Sequence, residues 1–87
     1  MTKHAVRSKK DVESEQLDAK LAAYRAAVEA WIVTIREEEA LASANRSLVQ
    51  VDKWEAAHFR EERARERAKA AKQDYESALR EKFFGFS

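Results

Sequence analysis

Large apolar side chains recur with a regular step along one stretch of the chain. Leu17, Leu21, Tyr24, Val28, Trp31 and Ile35 follow one another at intervals of four, three, four, three and four residues. Only an α-helix, with its 3.6 residues per turn, collects such positions on one face. A second apolar row, Ala19, Ala22, Ala26, Ala30 and Val33, is read as lying beside this seam, with Ile32 between the two. The polar remainder, Asp18, Arg25, Glu29 and Arg36, makes one narrow stripe. An exposed helix of a two-helix hairpin is not normally apolar around so much of its circumference. The first helix is therefore expected to meet more than one neighbour, and Ala22, Ala26, Ala30, Ile32 and Val33 are assigned to self-association.

The seam has a phase, and the phase breaks. With Leu21 at heptad position a, the frame runs through Tyr24, Val28, Trp31, Ile35 and Ala42, but then places Asn45, Asp52, Arg63 and Glu66 in the seam. A different frame collects Trp54, Ala57, Glu61, Ala64, Ala68, Ala71, Tyr75 and Ala78. Between the frames, Asn45 tolerates the left-handed conformation that ends helices. Ser47-Leu48-Val49-Gln50 has the spacing of a capping box, in which the serine oxygen accepts an orphan amide. The pattern predicts a helix over about 11–43, a turn at about 44–47 and a second helix over about 48–84. Residues 1–10 are basic and without period, a flexible arm ahead of a second capping-box match at Ser8-Lys9-Lys10-Asp11. Gly85 suits a helix C-cap, leaving 85–87 as a short tail.

Folding the two segments antiparallel pairs residues whose numbers sum to about 92. Leu17 then faces Tyr75, Leu21 faces Ala71, Tyr24 faces Ala68, Val28 faces Ala64 and Ile35 faces Ala57. Large residues against alanines let helices interdigitate closely. Trp31 opposite Glu61 is the one mismatch. The fold class expected is all-α: an antiparallel, coiled-coil-like two-helix hairpin that dimerises into a four-helix bundle.

Composition sharpens this. The chain has 87 residues, one glycine, no proline and no cysteine. That leaves little turn chemistry for strands and excludes disulfide scaffolds and Cys-ligated zinc. No secretory signal is legible, and the 19–35 window is too charged to span a membrane, so a cytoplasmic protein is expected. The net charge of +1 conceals a segregation: residues 1–10 carry +4, residues 11–39 carry −5 and residues 40–87 carry +2. Opposite signs on the two helices favour their lying side by side.

Candidate chemistry is sparse. No nucleophile–base–acid set and no glycine-rich phosphate loop stands out, so the chain is read as non-enzymatic, without a cofactor. Glu55-Ala-Ala-His58 has the Glu-x-x-His spacing of metal-binding bundles, with Glu37 or Glu38 near it across the hairpin. A salt-bridged interface histidine is the plainer account of it. Lys3, Arg7, Lys9, Lys10, Arg63 and Arg67 are a basic set that suits nucleic-acid phosphates, although Glu61, Glu62 and Glu66 interrupt it. Phe83, Phe84 and Phe86 fall beyond the start of the first helix, since Phe83 pairs with residue 9. Clustered aromatics seldom stay in water, so this end is expected to be covered by its own bundle or a dimer mate, with an anchor for a protein partner or a membrane surface as the recognition reading. Together these features point to a homo-oligomeric interaction module, a small adaptor, chaperone or regulator. The alternatives are a nucleic-acid accessory protein and a metal-binding bundle centred on Glu55 and His58.

Overall fold

A computed structural model describes residues 9–43 and 48–85, with side chains over 12–43 and 51–85. Two helices account for nearly all of them: α1, Lys9–Ala42, and α2, Leu48–Phe84. They pack against each other as an all-α hairpin. Lys20 pairs with Asp74, Trp31 with Glu61 and Glu37 with Arg60, so numbers fall along α2 as they rise along α1, and the helices are antiparallel. Lys9 and Lys10 stand in the first turn of α1. The turn expected at 44–47, both capping serines (Ser8 and Ser47) and Asn45 lie outside the described residues.

The C-terminal end of each helix has its backbone partner. The Ser43 amide and hydroxyl both donate to the Glu39 carbonyl, at 3.1 and 3.0 Å. At the other end Gly85 adopts φ 70° and its amide donates to the Glu81 carbonyl at 3.0 Å. This is the left-handed cap that glycine adopts without a Cβ penalty. Lys82 in the last turn of α2 complements the helix dipole.

The two seams meet, but they bury different things. The buried apolar residues are the alanines of α2, Ala57, Ala64 and Ala68. The large seam residues of α1, Leu17, Leu21, Tyr24, Val28, Trp31 and Ile35, are half-buried. An alanine is hidden as soon as one large side chain lies over it. The large side chain itself needs cover on its flanks, and a second layer is missing within one hairpin. The molecule is only 14 Å thick along its shortest axis, little more than one helix with its side chains, ~10–12 Å.

Long side chains meet partners displaced from the simple register. Tyr24 stacks on Tyr75, with centroids 6.3 Å apart, and Glu38 reaches His58. The numbers of these pairs, like those of Lys20–Asp74 and Glu37–Arg60, sum to more than 92. Side chains on a helix lean toward its own N-terminus. In an antiparallel pair both partners lean toward lower numbers, so long residues that touch start from higher ones.

Two expectations need correction. Trp54, assigned to the inward seam, is 40% exposed and lies flat on His58, 5.3 Å away with planes 6° apart. At its level the register presents Glu38, so there is no apolar pocket for an indole to enter. The second apolar row of α1 is not beside the seam. At about 100° per residue it lies roughly half a turn around the helix. Ala22, Ala26, Ala30, Ile32 and Val33 are all exposed, Val33 by 56%.

Candidate functional site

The mismatch in the register is a buried, hydrogen-bonded polar crossing between the helices. Glu61 sits in the seam of α2, only 8% exposed. A buried carboxylate must be hydrogen-bonded or it is costly. Trp31 supplies one donor from α1: its indole Nε1–H donates to Glu61 Oε2 at 2.6 Å. Arg65, one turn further along α2, supplies the rest. Its Nη2 donates to Oε1 at 2.9 Å and its Nε to Oε2 at 3.1 Å. This is the two-pronged guanidinium–carboxylate geometry that makes the strongest such pairs.

These donors favour the ionised carboxylate. The Arg65 hydrogen bond first, then that of Trp31, hold the Glu61 carboxyl below the usual glutamate range, and burial opposes them. The same hydrogen bond to Glu61 raises Arg65 above its ordinary value.

One turn toward the hairpin bend, His58 lies between two more carboxylates. Its Nδ1 is 3.4 Å from Glu38 Oε2 of α1, and its Nε2 is 3.2 Å from Glu62 Oε1 on its own helix. Trp54 covers one face of the ring and Phe59 tilts against it at 6.0 Å. Glu38, His58 and Glu61 each bring one potential ligand atom within 4.8 Å of the others. With carboxylates at both ring nitrogens, this histidine is placed to bridge or to ligate. Outside the cluster, Glu37–Arg60 at 3.1 Å and Lys20–Asp74 at 2.9 Å tie the helices together at exposed positions.

The other residues singled out in the sequence are more scattered. Glu55 is exposed and does not join the His58 cluster, so the metal-ligand pair read from Glu-x-x-His is replaced by Glu38, His58 and Glu61. Arg63 and Arg67 are exposed and share a shallow groove with Phe59, Glu62 and Glu66. Lys3 and Arg7 lie outside the described residues. Phe83 and Phe84 close α2 at 65% and 69% exposed, with the Lys82 ammonium 5.8 Å from the Phe83 ring; Phe86 lies outside the described residues. Among the described residues no helix is long and apolar enough to cross a membrane.

No protein-family model matches this chain, and no curated protein or solved structure is significantly similar to it. Function therefore has to be argued from the molecule itself. Sequence reasoning missed Arg65 and treated Trp31–Glu61 as a fault. The signal was there: an indole N–H is an obligate donor, and a carboxylate opposite it in a seam is its natural acceptor.

Proposed function

We propose that the chain is a non-enzymatic protein–protein interaction module, a small adaptor, chaperone or regulatory accessory protein, working as a self-associated helical hairpin. The observation that carries this reading is the uncovered face of α1: Ala22, Ala26, Ala30 and Val33 point away from α2, with Ile32 on their flank. Small residues in a row let a second helix approach closely. A second copy placed on α1 gives the four-helix bundle.

Sedimentation of the wild type and of Ala26→Glu tests it. The wild type should sediment as a dimer, and Ala26→Glu, which strands a charge in the interface, should give monomers or lose its fold. A well-folded wild-type monomer at high concentration refutes the reading. The exposed Phe83–Phe84 end of α2 is the surface on which such a bundle would present apolar anchors to a different protein. Deleting residues 83–87 should then abolish partner capture while leaving helicity and thermal midpoint nearly unchanged. Loss of the fold or of the dimer would place the aromatics in the core or interface instead. The nucleic-acid reading has less behind it, because Glu62 and Glu66 share the groove of Arg63 and Arg67.

A further inference from the structure

We propose that Glu38, His58 and Glu61 form a zinc-class divalent metal site that staples α1 to α2. Glu38, Glu61 and Glu62 converge on this end of the seam with Arg65 as the paired cation, three carboxylates against one guanidinium. An excess of carboxylates over cations is what a divalent ion would offset.

The geometry is also close to what such an ion needs. Ligands about 2.0–2.1 Å from a tetrahedral metal stand roughly 3.3 Å from one another. His58 Nδ1 and Glu38 Oε2 are already 3.4 Å apart, on different helices. Glu61 completes a three-ligand set within 4.8 Å. Its Oε1 accepts from Arg65 and, as a carboxylate oxygen, keeps a second lone pair for a metal. A water would take the fourth position, reached from the exposed side of His58.

What separates this cluster from a chance meeting of acids is the support behind two of its ligands, His58 and Glu61. A metal-bound histidine usually gives its other ring N–H to a carboxylate, which fixes the tautomer and raises the basicity of the ligating nitrogen. Glu62 Oε1 stands 3.2 Å from His58 Nε2, the nitrogen that does not face Glu38. Trp54 holds the plane of the ring by stacking on it. Trp31 and Arg65 hold Glu61, so that ligand is already oriented. The imidazole nitrogen selects the zinc class over magnesium or calcium, which favour all-oxygen shells.

The site lies within one hairpin and does not depend on self-association. The test uses the full chain, stripped with a chelator, titrated calorimetrically with zinc chloride and followed by thermal unfolding. One equivalent of zinc should bind, and the midpoint should rise with free zinc because only the folded form assembles the ligands. Magnesium at the same concentration should do neither. His58→Gln and Glu38→Gln should abolish the zinc-dependent rise, and Glu62→Gln should weaken binding about 10–100-fold. Glu55→Gln should leave it unchanged. Circular dichroism without metal establishes that each variant is folded. Absence of a zinc-dependent rise in the wild type, a rise that survives in folded His58→Gln, or an equal response to magnesium would each overturn the site. None of these outcomes bears on the oligomeric state.

Discussion

The two halves of the hairpin hold together by different physics. Away from the bend, the half-buried Tyr24 and Val28 lie at the level of the buried alanines Ala64 and Ala68, and Tyr24 stacks on Tyr75. Toward the bend Ala57 is buried as well, but the seam also contains a tryptophan, a buried glutamate and its arginine, followed by a histidine between carboxylates. The first half is large-against-small packing, which is dense but nearly indifferent to a shift of one heptad. The second is directional: Trp31 has one donor, and Glu61 receives it at one register only. The difference teaches that apolar area supplies the attraction between these helices, while the polar crossing selects their alignment. A single polar position fixing register is a familiar device in coiled coils.

The comparison breaks most readily at its apolar half. Ala64→Leu adds three carbons where the opposite helix leaves no room, and should cost about 1–3 kcal/mol in chemical denaturation. A neutral result would mean that the helices are not closely packed at Ala64. Trp31→Phe acts on the polar half, keeping a large ring but removing the N–H. It should lower the thermal midpoint by a few degrees, and the drop should largely vanish in a Glu61→Ala background. Equal drops in both backgrounds would assign the loss to packing rather than to the hydrogen bond.

Acid sharpens the contrast further. Because Glu61 ionises below its unfolded-state value, its contribution is complete above the ordinary glutamate range, near about 4.3. It is lost as pH falls through the depressed folded value. The stability advantage of wild type over Glu61→Gln should therefore be constant near neutrality and shrink only in that acid window. An advantage that persists unchanged to the most acidic conditions at which both remain folded would contradict the ionised pairing. The smallest effect belongs to the exposed cross-links. Glu37→Gln, which removes the partner of Arg60, should change stability by less than about 0.5 kcal/mol at physiological salt.

Much of this architecture was already present in the order of residues. The step of four and three from Leu17 to Ile35, the alanine seam from Ala57 to Ala78 and the phase break between them determined two antiparallel helices and the faces they turn to each other. Periodicity is a local property, and a helix converts it directly into a face. What only the tertiary structure decided lies at the tips of long side chains. Whether Glu61 is a fault or an anchor depends on where the indole of Trp31 and the guanidinium of Arg65 end, several bonds from their backbones. Glu55 and Glu38 were equally plausible neighbours of His58 by spacing. Packing chose Glu38, because α1 and α2 each tilt their side chains toward their own N-terminus. Ala22, Ala26, Ala30 and Val33 stand half a turn from the seam by helical spacing alone, and the hairpin leaves that face uncovered. A helix has one face for each neighbour, and a single hairpin provides only one neighbour.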